Sequence, residues 1–361
     1  MRGFGFGGRA VVAAARSQVA GPFIMLALVV VFAALTTERF LNGQNLRNLG
    51  LEMAIVAIIA IGSTFVILTA QIDLSPGSIV ALTSMSMAVL LTKHHVSLEL
   101  TVLLMLLLGA GLGLVNGFFC SYGRIPSFIF TLATLSVFQG LAFLETDGTP
   151  IFNLSPRLEH SFYGELKGIP YPFLYVVVLY VLAWAYLRYT HGGRRIYAVG
   201  GNQAAARLVG INVNRVRTKV FVVAGTLAAF GGLLMSAQLN SGSPEYGRGL
   251  ELQAIAAAVI GGTSLFGGQG NIVATLFGAM IITIVQNVLN LHAVGTAWQN
   301  ITTGVIISLA VGIDMWRGPV ARAIVSRWRS LGRLRAAERV AVEEQAASPL
   351  AAPRENVRTR P

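Results

Sequence analysis

Chemistry in this chain has few places to come from, and the first is a polar interruption between two apolar runs, Gln71-Ile72-Asp73-Leu74-Ser75-Pro76-Gly77-Ser78. Asp73 has no cation near it in sequence, so its carboxylate lies at an aqueous interface or faces a polar cavity. Pro76 and Gly77 favour a break in the helix, and freed backbone groups at a break must find partners or line water. The alternative is a short loop in which Asp73 and Ser75 cap the next helix. A second set is the amides inside apolar runs: Asn116, Gln139, Gln286, Asn287 and Asn290. Neutral hydrogen-bonding groups suit a neutral polyhydroxylated ligand, which brings no charge to pair. Equally, amides glue helices together in lipid at about 0.6 kcal/mol each. The third is Gly242–Ala257, where Glu251 falls in the first turn of a helix and complements its dipole.

Other chemistries lack their residues. No G-x-x-x-x-G-K-[ST] loop is present, so the chain has no ordinary means of holding ATP. No H-E-x-x-H or Cys/His cluster offers a zinc site, and His94-His95 beside Lys93 reads as a solvated turn. Gly261-Gly262 and Gly267-Gly268 lie between apolar runs rather than after a strand, which removes the dinucleotide reading. Few carboxylates fall inside apolar runs, whereas ion-driven pumps use intramembrane carboxylate relays. No catalytic residue and no metal ligand is assigned. Cys120, the sole cysteine, sits in an apolar run as a small buried hydrophobe.

The elements that carry these residues are membrane helices. Of 361 residues, 54% are hydrophobic and 12% charged, with mean hydropathy +0.67. Soluble domains have roughly a quarter charged. The apolar runs approach the ~20 residues a crossing needs. Ten spans are predicted, at about 22–37, 51–70, 77–92, 98–120, 126–144, 171–189, 218–238, 251–265, 271–291 and 298–315, the eighth short enough to be a half-helix. Forty glycines suggest close helix packing. Thr36-Thr37-Glu38-Arg39 after the first run argues against a cleaved signal peptide.

Charge orients the bundle. The net charge is +12, but it is concentrated in residues 1–21, 188–219 and the tail from Trp316, which hold 20 of 27 basic and 4 of 15 acidic residues. Basic loops stay in the cytoplasm, so this pattern predicts a multi-pass inner-membrane protein with both termini cytoplasmic, and it argues against nucleic-acid binding. The polar stretch 145–170 then falls outside, and the basic loop between spans six and seven inside. In that loop Asn202 could cap a short amphipathic helix over Gln203–Val209, closed by Gly210. Such a helix suits a partner's groove; an ordinary basic loop is the other reading. Thr69-Ala70-Gln71-Ile72-Asp73 is echoed by Ser236-Ala237-Gln238-Leu239-Asn240 on the opposite side, as an inverted repeat would give. Chance similarity over five residues is the alternative.

At these residues the chain resembles the permease subunits of ribose-, galactose-, arabinose- and xylose-type ABC importers. The matching stretches are I-D-L-S-x-G-S (72–78), N-G (116–117), I-P-x-F-I-x-T-L (125–132), G-R-x-I-Y-A-V-G-G-N with A-A-R-L-x-G-I (193–211), and G-S-P-x-x-G-x-G-x-E-L-x-A-I-A-A with G-G-T-S-L-x-G-G-x-G (242–270). The family usually has Gly-Gly where this chain has Ala70-Gln71, Val in place of Pro76, Pro in place of Ser127 and Gly in place of Ala133.

The resemblance implies an all-α polytopic membrane protein of about ten transmembrane helices with the inverted-repeat permease fold. The segment 1–21 is expected to be cytoplasmic, 22–315 to be the permease domain, and 316–361 a basic, partly disordered cytoplasmic tail. Within 22–315, 188–217 forms the coupling loop and 145–170 the periplasmic loop. The implied function is import of a monosaccharide by alternating access; the alternatives are a polyol, inositol or furanosyl signalling molecule, or a secondary transporter. The expected partners are ABC ATPase subunits, a periplasmic sugar-binding protein, a second permease copy and membrane lipid. The chain would bind no cofactor, and ATP-Mg would be used by the partner ATPase. Gly193, Arg194, Gly200, Asn202, Ala205, Ala206, Arg207, Gly210 and Ile211 are expected to contact and follow the ATPase. Gln71, Asp73, Ser75, Asn116, Gln139, Asn240 and Asn287 are expected on the substrate path.

Overall fold

A computed structural model describes residues 19–312; the expected basic tail 316–361, and the N-terminal segment apart from 19–21, lie outside the described residues. Twelve named helices and a further helical stretch follow in order. They are α1 (Ala20–Thr36), α2 (Gly43–Leu68), α3 (Pro76–Thr92), α4 (Leu98–Ser121), α5 (Ser127–Leu144), α6 (Pro156–Tyr163), α7 (Tyr171–Tyr189), α8 (His191–Gly201), α9 (Gln203–Leu208), α10 (Val213–Leu239), α11 (Leu250–Ile260) and α12 (Ile272–Leu291), then α13 (296–312). Strands are vestigial. β1 (Ile151–Phe152) pairs antiparallel with β4 (Ser241–Gly242), and β2 (Glu165–Leu166) with β3 (Ile169–Pro170).

Among the described residues, α2, α4, α5, α7, α10 and α12 are long and apolar enough to cross a membrane, and α1, α3 and α11 are shorter apolar helices. The chain is thus a mostly helical, multi-pass membrane protein. The first nine predicted spans each overlap a helix, with shifted ends: α10 begins at Val213 rather than 218, and α11 stops at Ile260 rather than 265; the tenth is helical over its described part, 298–312.

The centre of the bundle is α2, buried at every residue from Met53 to Leu68. A helix apolar on all sides has no wet face to orient it, so neighbours must surround it. They are α10, α11, α12 and α7. The Tyr180 hydroxyl of α7 donates to the Ala57 carbonyl at 3.0 Å, and Thr64 pairs with Thr275 of α12 at 3.0 Å.

Helix α4 inverts the pattern of a soluble helix. Leu103, Leu107, Leu114 and Phe118 are exposed while Gly109, Gly113, Asn116 and Gly117 are buried. Lipid is as apolar as leucine, so helices associate through small residues that let backbones meet. The three glycines, four apart, do this against α10. A Cβ on Gly109 would meet the Gly225 carbonyl at 2.5 Å, and one on Gly117 the Thr218 Cα at 2.8 Å.

Candidate functional site

The α2–α3 junction, residues 69–75, is irregular and half-buried, with Thr69, Asp73 and Ser75 fully so, and its backbone finds partners inside the protein. Helix α5 supplies two. Ser127 Oγ accepts from Ile72 N at 2.9 Å and Thr131 Oγ1 accepts from Leu74 N at 3.0 Å. The side chains of the junction form one chain of donors: Thr134 Oγ1 donates to Asn116 Oδ1 (2.8 Å), Asn116 Nδ2 to Ser75 Oγ (2.8 Å), and Ser75 Oγ to Asp73 Oδ1 (2.7 Å). The Ser75 N–H adds a second bond to the same oxygen at 2.9 Å. Asp73, Ser75, Asn116, Thr131 and Thr134 are all buried. Asp73, Ser75 and Asn116 therefore form a single network that ties the break to α4 and α5. Ala70, just before it, holds φ +57°.

A second irregular stretch, 240–249, joins α10 to α11 and runs alongside α3. Gly242 packs on Ser84 and Ala88, and Gly247 on Gly77 and Val80. Eleven residues of α3 at 1.5 Å each put the two ends of this stretch roughly 16 Å apart along the helix. Ser241 to Pro244 are buried, and the Gln139 amide donates to the Pro244 carbonyl. At the deep end the N-termini of α3 and α11 meet. The Glu251 carboxylate abuts Gly77 and takes hydrogen bonds from the Gly249 and Glu251 N–H groups. An anion between two helix N-termini offsets the partial positive charge of both.

The loop joining α7 to α10 folds into two short helices. Thr190 Oγ1 caps α8 by accepting from Gly193 N at 3.0 Å. Asn202 ends α8 and caps α9, its Oδ1 accepting from Ala205 N at 2.9 Å. Gly210 at φ +80° closes α9: its N–H donates to Arg207 O at 3.0 Å and the Ile211 N–H to Ala206 O at 3.0 Å. A small cluster of Val199, Ala206 and Val213, with Ile211 against it, fastens α9 to α8 and α10. Arg194 is exposed, its guanidinium 2.9 Å from His191 Nδ1. Ala205 and Arg207 are exposed too, and the tip ends in Leu208 (89% exposed) and Val209 (75%).

The base of this projection meets the broken helix through glycine. A Cβ on Gly200 would collide with Leu68 O and come to 2.5 Å from Gly268 N. These two atoms are themselves hydrogen-bonded at 2.9 Å. The Tyr197 hydroxyl donates to Gly270 O at 3.0 Å, and burial pushes that phenol above its ordinary range. Gly193 is similarly pressed on Leu187 of α7. The end of α8, the end of α2 and the α11–α12 loop thus form one three-way seam. Beside it lies a polar cavity of about 710 Å³ whose wall includes Gln71, Arg124, Arg207 and Arg217.

The remaining expected path residues stand apart from Asp73. Asn240 ends α10 at φ +45°, and its Oδ1 accepts from Ser155 N at 3.1 Å, anchoring the 151–155 segment. Asn287 exchanges two amide hydrogen bonds with Asn45 at 3.0 and 2.9 Å, joining α12 to α2. Sequence reasoning foresaw α9 but not α8, whose buried Gly193, Ile196 and Val199 at three-residue spacing were the available sign. It also missed Tyr197 and the seam.

Residues 45–311 match the family described as "Branched-chain amino acid transport system / permease component". The ribose import permease protein of Bacillus subtilis (strain 168) is 42% identical over 299 residues, 82% of this chain and 92% of the relative. The ribose import permease protein of Escherichia coli (strain K12) is 41% identical over 296 residues, 80% and 92% respectively. The xylose transport system permease protein of the same strain is 34% identical over 357 residues, 81% and 91%. No solved structure matches the chain. This chain belongs to that family of membrane permease components; it is a transport subunit and not an enzyme.

Proposed function

We propose that the chain is the permease subunit of an ABC importer that carries a monosaccharide across the bacterial inner membrane. The related chains named above are ribose and xylose permeases, and the similarity runs through nearly their whole length. In this reading the helices make about ten crossings in an inverted-repeat arrangement, with both ends of the chain in the cytoplasm. The two irregular stretches, 69–75 and 240–249, are the counterparts in the two halves, and the helices that follow them, α3 and α11, meet at Gly77 and Glu251 beside Gly247. The 145–170 segment then faces the periplasm, where a sugar-binding protein delivers substrate. A second permease copy completes the pathway. ATP-Mg is consumed by separate ATPase subunits.

The observation that carries the proposal is the α8–α9 projection. Its apolar tip, Leu208 and Val209, is bared to solvent beside Arg207, while its base is wedged by Gly200 into the end of α2. A helix with an exposed apolar tip suits a groove on a partner, and a glycine seam transmits its displacement because packed backbones deform little. The displacement reaches Asp73 through the four residues that separate it from Leu68. Within the family of expected path residues, Gln71 faces the polar cavity, and Asp73, Ser75 and Asn116 hold the break in shape.

The test replaces Leu208 and Val209 by Asp in the full chain, expressed with its ATPase and binding protein. The ATPase should be lost from the complex purified in mild detergent while the permease still inserts and folds. A single cysteine at position 208 should be labelled from the cytoplasmic side only. Retention of the ATPase by the double variant, or labelling from outside, would overturn the reading.

A further inference from the structure

A second cavity, of about 800 Å³, lies between α7 and α10 with the Gly210–Asn212 turn at its mouth. Its two ends differ in chemistry. Arg195, Arg215 and Lys219 line the mouth, whereas Leu182, Val223 and Leu227 line the shaft. All three cations are exposed, and among the described residues none makes an ion pair. Arg215 and Lys219 stand four apart on one helix, where like charges are neighbours and repel. No acid occurs anywhere from 188 to 219 to relieve them.

From Lys219 to Leu227 the shaft follows eight residues of α10, about 12 Å. One leaflet of a bilayer contributes roughly 15 Å of the ~30 Å hydrocarbon. The shaft walls are apolar and partly bare, with Leu182 and Val223 exposed. The stacked Phe65–Tyr186 pair, 5.9 Å between centroids, also lines the cavity.

From this arrangement we infer that the α7–α10 cavity is a binding site for one anionic phospholipid. The phosphate rests on Arg195, Arg215 and Lys219, and an acyl chain fills the slot past Val223. Basic pockets between transmembrane helices hold anionic headgroups in this way. A soluble anion would use the mouth and leave the shaft empty, and a neutral lipid would use the shaft and leave the cations unpaired. Only an anionic lipid satisfies both ends. The bound headgroup lies against the 210–212 turn, where α9 hands over to α10, so the site fastens the base of the projection to the membrane. The inference does not depend on which solute the permease moves.

The test is native mass spectrometry of the full-length chain released from detergent, titrated with phosphatidylglycerol or with phosphatidylcholine of the same acyl chains. The wild type should bind one phosphatidylglycerol at a concentration at least tenfold below that needed for phosphatidylcholine. The R195Q/R215Q/K219Q variant should lose most of this preference. The single variant R195Q, the least disturbing to the fold, should lose about threefold. V223W, which fills the slot and leaves every charge in place, should weaken phosphatidylglycerol by tenfold or more. Millimolar inorganic phosphate should fail to displace the lipid. Equal binding of the two lipids, an unchanged preference in the triple variant, displacement by phosphate, or a site covered by a second copy of the chain would each overturn the assignment.

Discussion

Consider Gly200→Ala, with Gly201→Ala as its control. The two substitutions add the same methyl to adjacent residues at the end of α8. At Gly201 the new Cβ has nothing within 4 Å, whereas at Gly200 it meets the Leu68 carbonyl, Gly268 N at 2.5 Å and Leu68 C at 2.9 Å. All three are backbone atoms, so no rotamer can absorb the clash, and α8 must back away from α2 and the α11–α12 loop. Overpacking of this kind costs about 1–3 kcal/mol. Loss of the Gly268 N–H to Leu68 O bond adds about 1 kcal/mol. If half of this falls on only one of the two transport states, their balance shifts by about 1–2 kcal/mol, or roughly five- to thirtyfold. The assay is substrate-stimulated ATP hydrolysis and sugar uptake in proteoliposomes holding the full importer. Gly200→Ala should lose stimulation by fivefold or more with the subunits still assembled, and Gly201→Ala should stay near wild type. Equal behaviour of the two variants would refute the seam as the route of coupling.

Other outcomes follow from the hydrogen bonds. Asn116→Ala strips Ser75 of its donor and Thr134 of its acceptor in a buried place; a loss of about 1–3 kcal/mol should appear as a lower melting temperature in detergent. Asn45→Leu and Asn287→Leu, singly and together, form a double-mutant cycle across α2 and α12. With two amide bonds at about 0.6 kcal/mol each, the coupling should come to about 1 kcal/mol, and a coupling near zero would leave the pair without a role in stability. Ala70→Gly should stabilise the fold. It relieves a left-handed backbone at φ +57°, worth about 1 kcal/mol, only part of which is returned through glycine's greater freedom when unfolded. A lower melting temperature would contradict this.

The long apolar helices, six of them of crossing length among the described residues, were legible because apolar runs of that length leave little choice of structure. The cap of α9 was legible as well: Asn202 and Gly210 stand at the spacing where an amide acceptor and a positive φ are needed. Helix α8 was not. Its sequence, His-Gly-Gly-Arg-Arg-Ile-Tyr-Ala-Val-Gly-Gly, carries four glycines, each unfavourable to a helix by up to about 1 kcal/mol. Packing against the ends of α7 and α2 overrides that preference. The in-span amides were ambiguous between helix glue and a polar path, because the choice depends on partners far away in sequence. Asn45 and Asn287 are 242 residues apart. The departures from the family's usual residues acquire a meaning only in three dimensions. Where the family usually has proline, Ser127 provides the hydroxyl that accepts from the Ile72 N–H.

The glycine triad of α4 constrains how the bundle can rearrange. With Gly109 and Gly117 seated on Gly225 and Thr218, the backbones of α4 and α10 touch along more than two turns. On the α4 side of that contact the three glycines present no side chain to act as a bearing. The pair therefore moves as a single plank, and any opening of a passage has to be a hinge or a slide elsewhere, on the far side of α2 or at the kink around Asp73. Lipid lapping the leucine face of α4 would register such a step as a tilt of the whole plank rather than as a twist of one helix.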